Sequence, residues 1–284
     1  MNPSAPHDVR ALVTTAQTLA REAGRLVHDG RPDRVRVHAT KSSPVDVVTA
    51  MDLASEELLR RRLAELRPGD GILGEEQGFV PGTTGVTWVV DPIDGTVNYL
   101  YGLPSWSVSI AAVVGPPGAG PDATPQPQTW TALAAAVYAP VDDRMFSAGR
   151  GLGATLDVAR LRVGEPTALE LSLVGTGFGY RVERRRAQAA IVAELLPLVR
   201  DIRRLGSAAL DLCAVASGSL DLYYERGLAP WDLAAGALVA VEAGAVVTGL
   251  RGRRADYEMT VAGAPGTIES LVTFLESQGA DSTP

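Results

Sequence analysis

The run from Trp88 to Asn98, WVVDPIDGTVN, limits the folds open to this chain more than any other stretch. Trp88, Val89 and Val90 are residues of strand type, and they lead directly into Asp91, Pro92, Ile93, Asp94, Gly95 and Thr96. A strand ending in two carboxylates, with a proline and a glycine enforcing a turn, sets acidic oxygens at a sheet's edge. Asp94, Gly95 and Thr96 then read as the first turn of a short helix, whose unpaired N–H groups suit an anion. Carboxylates for hard cations beside amides for phosphate are the components of metal-assisted phosphoryl chemistry. The ordinary alternative is an Asp-Pro turn followed by a helix cap.

The 284 residues suffice for one large core or two modest ones. No apolar run reaches the roughly 18–20 residues of a membrane span, and the start, MNPSAPHDVRALV, lacks the layout of a secretory signal. Cys213, the single cysteine, excludes an internal disulfide framework and fits a reducing compartment, so a cytoplasmic location is expected. A net charge of −7 disfavours indiscriminate nucleic-acid binding, and the local arginine clusters suit solvated faces. Lys41 is the only lysine among 26 basic residues. In so arginine-rich a chain it marks either a position needing a compact ammonium or a chance survival.

Helical periodicity runs over 8–29, over Asp52–Leu66 with Leu58, Leu59, Leu63 and Leu66 on the buried face, and over 182–198, 207–217, 231–243 and 266–277. Strands are expected at 34–39, around Ile72 and Leu73, at 86–90, 107–114, 130–138, 144–148, 153–156, 169–175, 201–204 and 220–224, and near Val246 and Thr260. TKSSPVDVVTAMD reads as a loop around Pro44, and 115–128, rich in proline and glycine, as a flexible hairpin loop. An antiparallel first half followed by alternating strands and helices predicts a layered α/β (α+β) sandwich.

His7, His28 and His38 sit away from every acidic motif, which argues against histidine general-base or phosphohistidine chemistry. Cys213 lies in an apolar helix and reads as a small core residue. Neither a G-x-S-x-G elbow nor a G-x-x-x-x-G-K-[ST] phosphate loop is present. Carboxylates remain: Glu75 and Glu76 after one buried strand, Asp91 and Asp94 after another, and Asp232 at the start of a helix. Acids at three element ends suit a multi-cation site, because uncompensated they would repel one another.

The segments KSSPVDVVTAMD, ILGEEQG, WVVDPIDGTVNYLYGLP, IRRLGSAALDLCAVASGSLDLYYERG and WDLAAGALVAVEAGA, spanning most of 41–245, resemble the inositol monophosphatase family of magnesium-dependent, lithium-sensitive sugar phosphatases. D-P-I-D-G-T joined to a downstream W-D at a helix start is the most specific of these matches. The resemblance implies an αβαβα sandwich in one domain, 1–284, with a metal-site half (1–157) and a substrate-recognition half (158–284). It implies two or three Mg2+ ions per site. Glu75, Asp91 and the Ile93 carbonyl would hold the first, Asp91, Asp94 and Asp232 the second, and Glu75 with waters a weaker third. Glu75 and Thr96 would orient and deprotonate the attacking water, with Asp52 fixing the Thr96 hydroxyl and Lys41 near the metal–water cluster. Gly95 and Thr96 would bind phosphate through their amides, and Asp94, Asp232, Ala208 and Glu225 would contact substrate. For Glu225 the alternative is a surface acid at a strand end.

The chain departs from the animal enzymes at GFGY (Gly177–Tyr180), where they place a serine, and at Ala229 and Pro230. The implied activity is hydrolysis of a small phosphorylated polyol, foremost myo-inositol 1-phosphate, by a cytoplasmic homodimer acting on neither membrane nor nucleic acid. The alternatives are fructose 1,6-bisphosphatase, histidinol-phosphatase or 3′-phosphoadenosine 5′-phosphate phosphatase activity, or a binding role on the transcription machinery.

Overall fold

The computed structural model describes residues 7–41, 43–115 and 123–282. Helix α1 (Val9–Asp29) starts where the Asp8 carboxylate accepts from the Arg10 and Ala11 amides, and it buries the stripe Leu12, Ala16, Leu19, Ala23 and Val27. Gly24 lets it approach the next layer closely, since a Cβ there would lie 2.4 Å from the Tyr138 ring. A two-stranded antiparallel ribbon follows, β1 (Val37–Thr40) with β2 (Val47–Thr49). The ribbon corrects two expectations: the first strand lies further along than 34–39, and three residues of the supposed loop, Val47–Thr49, are its partner. Thr49 then caps α2 (Ala50–Leu66). Leu59 and Leu63 of α2 are buried, whereas Leu66 is exposed in its last turn.

The strands β3 (Gly71–Gly74), β4 (Gly78–Val80) and β5 (Val86–Asp94), the short helix α3 (Thr96–Tyr101), and β6 (Ser107–Val114), β7 (Thr131–Ala139), β8 (Arg144–Gly149), β9 (Gly153–Leu156) and β10 (Ala159–Arg160) come next. Among the described residues these strands form an eight-stranded sheet in the order β10-β9-β8-β7-β6-β5-β3-β4. Pairing is antiparallel throughout except between β3 and β5, which run parallel. Trp88 is fully buried in β5 with its indole N–H donated to Asp70, 2.9 Å away; burying such a side chain stabilises by roughly 1.5–3 kcal/mol. β6 and β7 pair on either side of the expected 115–128 loop, of which 116–122 lie outside the described residues. The short strands β4 and β10 were not anticipated, because two or three residues carry no readable period.

The remaining elements are β11 (Leu173–Thr176), α4 (Val182–Leu195), β12 (Asp201–Arg203), α5 (Ala208–Ala216), β13 (Leu222–Glu225), α6 (Pro230–Glu242), β14 (Val246–Thr248), β15 (Thr260–Gly263) and α7 (Ile268–Ser277). Their strands form a second sheet ordered β12-β11-β13-β15-β14. Leu169–Leu171, expected to open a strand, is a 3-10 turn closed by Leu171 and Ser172 amides on the Ala168 and Leu169 carbonyls. The helix expected to reach 198 gives way to a 3-10 turn over Leu196–Leu198, where Pro197 offers no N–H.

Helices α1 and α2 cover one face of the large sheet, α5 and α6 fill the space between the two sheets, and α4 and α7 close the outer face of the small one. This is the αβαβα sandwich. α5 and α6 are apolar nearly all round because both of their sides meet a sheet. No helix among the described residues is long and apolar enough to cross a membrane.

Candidate metal centre and substrate cavity

Because β3 and β5 are parallel, their C-terminal ends share one rim of the large sheet, so Glu75, just after β3, and Asp91 and Asp94, at the end of β5, emerge together. Asp91 and Asp94 are three residues apart, a spacing that sends side chains of a regular strand to opposite faces. A bulge removes the problem: Asp91 pairs with Ser109 but Asp94 with Ser107, which leaves one extra residue on β5. Pro92, with no N–H to offer the ladder, sits inside it, and the Ile93 amide turns to the Asp91 carboxylate at 3.0 Å. Asp94 therefore ends the strand rather than opening the helix, and Gly95 caps α3 at φ +100°. A Cβ on Gly95 would lie 3.0–3.2 Å from Ser105, Gly206 and Trp106, so glycine is required twice over.

Asp232 reaches the same place from the first turn of α6, where its carboxylate accepts from the Ala229 amide at 2.7 Å and Pro230 supplies a favourable first residue. Carboxylate oxygens of Asp91, Asp94 and Asp232 lie within 4.8 Å of one another. They line a cavity of about 360 Å³ together with Glu75, Lys41, Ile93, Gly95, Thr96, Ala208 and Glu225. Of the acids singled out in the sequence, Glu76 and Asp52 are not among the lining residues: Glu76 pairs with Lys41, and Asp52 reaches the site through the Thr96 hydroxyl.

Burial first, then Glu75, Asp94 and Asp232 as negative neighbours, hold Asp91 well above the usual carboxylate range; burial and then Asp94 and Glu75 do the same to Asp232. Burial pushes Asp94 up to about 6, against the pull of Ser207 and the Ala208 and Ala209 amides. Glu75 is pushed up to about 7 by burial despite Lys41. Such a set needs protons or a cation, and its all-oxygen chemistry fits a hard divalent ion. Lys41 donates to Glu75 and to Glu76, both at 2.6 Å. Burial would lower the Lys41 pKa, but the two glutamates together raise it.

The Thr96 hydroxyl lies 3.0 Å from the Ile93 carbonyl and 3.1 Å from Asp52. Asp52 is fully buried, also accepts from the Thr49 amide and hydroxyl, and is pushed up by burial to about 6. On the opposite wall, Glu225 ends β13 and is pushed up by burial to about 7. Gly177 makes room for it, since a Cβ there would lie 1.9 Å from its carboxylate. Phe178 and Tyr180 of the GFGY segment line the same wall.

Two partners were not anticipated from sequence. Ser207 donates to Asp94 at 2.5 Å beside the Ala209 amide at 2.8 Å, so Asp94 sits on the start of α5. The buried Tyr223 hydroxyl donates to Glu225 at 2.7 Å. A serine before an apolar helical run signals a cap, but nothing in the sequence tells which distant acid will share it.

A model described as the inositol monophosphatase family matches residues 8–276. The chain is 45% identical over 293 residues to the inositol-1-monophosphatase of Mycobacterium leprae, covering 95% of each. It is 36% identical over 280 residues to the Nus factor SuhB of Pasteurella multocida, covering 97% of each. Among solved structures, Mycobacterium tuberculosis SuhB superposes with a TM-score of 0.78 at 42% identity, over 98% of this chain and all of that one.

Proposed function

This chain belongs to the inositol monophosphatase family, and on that premise we propose that it is a magnesium-dependent phosphatase whose preferred substrate is myo-inositol 1-phosphate. The observation that carries this reading is the convergence of Asp91, Asp94 and Asp232 in one cavity with Glu225 on its far wall. Glu75, Asp91 and the Ile93 carbonyl would hold one magnesium ion and Asp91, Asp94 and Asp232 a second, with Glu75 serving a weaker third. Bound there, the ions would supply Lewis-acid polarisation of the phosphate.

The chain's own groups do the rest. With its O–H donated to Asp52 or the Ile93 carbonyl, the Thr96 hydroxyl keeps its lone pairs for a water, which it orients while the Glu75 carboxylate takes the water's proton. Lys41, bonded to Glu75, holds that carboxylate in place. Gly95 and Thr96 open a helix whose first amides suit the phosphate. Glu225, an acceptor for neighbouring hydroxyls, recognises the polyol beside Ala208. In this reading the chain works as one domain, 1–157 supplying most of the metal ligands and 158–284 the polyol contacts, in a cytoplasmic, lithium-sensitive homodimer. A second reading, a binding role on the transcription machinery, is favoured by the relatives named Nus factor.

The test is phosphate release over a panel of phosphorylated polyols, sugars and nucleotides with magnesium. Inositol 1-phosphate should give the highest kcat/KM, and a flat or reversed ranking would overturn the assignment. Asp94→Asn should lower kcat at least 100-fold in a variant that still unfolds cooperatively; near-parental rates would contradict the second-ion assignment.

A further inference from the structure

Glu56 is fully buried, near the middle of α2. A carboxylate taken out of water costs several kcal/mol unless it is well paired. Its partners are specific: Oε2 accepts from the Glu76 amide at 2.7 Å, and Oε1 accepts from the Gln77 amide at 3.0 Å and from Arg60 Nε at 2.8 Å. Arg60 also donates to the Gly78 carbonyl at 2.6 Å. Gly74 completes the fit, since a Cβ on it would lie 2.4 Å from the Glu56 carboxylate. Glu56 thus grips the Glu75–Gln77 turn from below. The side chains of the turn are less enclosed than its amides: Gln77 is an exposed residue and Glu75 and Glu76 are partly buried, yet both amides donate to a fully buried carboxylate.

Two neighbours on the same helical face do similar work. Ser55 donates to the Pro92 carbonyl at 3.2 Å and Asp52 accepts from Thr96 at 3.1 Å, at the spacing that stacks side chains along one face. The face that buries Leu59 and Leu63 further along is polar where it meets the two acid-bearing segments.

We propose that Glu56 is a positioning residue for metal binding: it fixes the turn that aims Glu75 into the cavity. The inference rests on the metal-site reading given under Proposed function. Its test uses the purified full-length chain and Mn2+ alone as the probe, with affinity measured by calorimetry or by the free-ion paramagnetic signal. Glu56→Gln puts an NH2 group where an amide must be accepted. It should weaken Mn2+ binding about tenfold or more, as loss of a ligand's supporting partner does, and speed hydrogen exchange at the Glu76 and Gln77 amides. Leu63→Ala, a cavity mutation on the same helix, should lower the Tm but leave Mn2+ affinity within twofold of the parent.

A folded Glu56→Gln protein with parental Mn2+ affinity would overturn the proposal, and so would an equal loss in Leu63→Ala. If Glu56→Gln does not fold, Glu56→Asp decides: its shorter side chain cannot span both amides, so parental affinity in the folded variant would be equally fatal. Failure of the parent chain itself to bind Mn2+ would instead remove the metal-site reading.

Discussion

Tyr223 is wholly buried, and its hydroxyl is committed to one oxygen of Glu225. That fixes the acid's orientation, and in the proposed reading the other oxygen serves the substrate hydroxyls. Hydrogen bonds to charged groups contribute about 1.5–3 kcal/mol, so Tyr223→Phe should raise KM for inositol 1-phosphate about tenfold with kcat little changed. Hydrolysis of p-nitrophenyl phosphate, which has no vicinal hydroxyls, should be unaffected; equal losses on both substrates would place the effect at the phosphate end instead. At this scale the sequence was legible for the meeting of Glu75, Asp91, Asp94 and Asp232, because acids at strand and helix ends stand out against the apolar runs beside them. Tyr223 in YYE looked like any core aromatic, since its role depends on which strand-mate its hydroxyl meets. Ser55 and Glu56 did leave a trace, two polar residues on the face continued by Leu59 and Leu63, but a periodicity reading discards such exceptions.

The start of α5 is held by Ser207, whose hydroxyl accepts from the Leu210 amide while donating to Asp94. Replacing a serine cap with alanine costs about 1 kcal/mol. Ser207→Ala should therefore lower the Tm by about 2–4 °C, measured with magnesium present to occupy the proposed metal site. No shift would mean that Asp94 alone satisfies the helix end. The long helices α1, α2 and α6 were legible from apolar spacing and end signals, and β5 to β9 from apolar runs between turns. What escaped was short or bent. β2 has three residues, and the bulge at Pro92 and Ile93 is visible only through its partner strand. Pro92 hinted at a break in the ladder without saying which way the following acid would turn.

At the scale of the molecule, the acid cavity makes the metal-free protein sensitive to pH in a direction opposite to ordinary acid denaturation. Asp52 and Asp94 are raised from 3.8 to about 6, and Glu75 and Glu225 from 4.5 to about 7. An acid whose folded pKa lies above its unfolded value binds more protons in the native state, so stability falls as pH rises between the two. Asp201 and Asp281 are lowered by their arginine partners and act the other way, but below this window. With chelator present, the Tm should fall from about pH 4 to pH 7, and millimolar magnesium should restore it at the upper end. A Tm that climbs over that range without metal would mean that the four acids are not jointly confined. The layered architecture was readable from the order of elements, whereas the meeting of α6 with the rim of the large sheet is a long-range event that no local pattern encodes. Asp91 and Asp94 precede Asp232 by well over a hundred positions, so a polypeptide leaving the ribosome carries them long before their counterpart exists. The repulsion between Asp232 and that pair therefore arises only where α6 meets the large sheet, whereas Asp91 and Asp94 are neighbours within one strand from the outset.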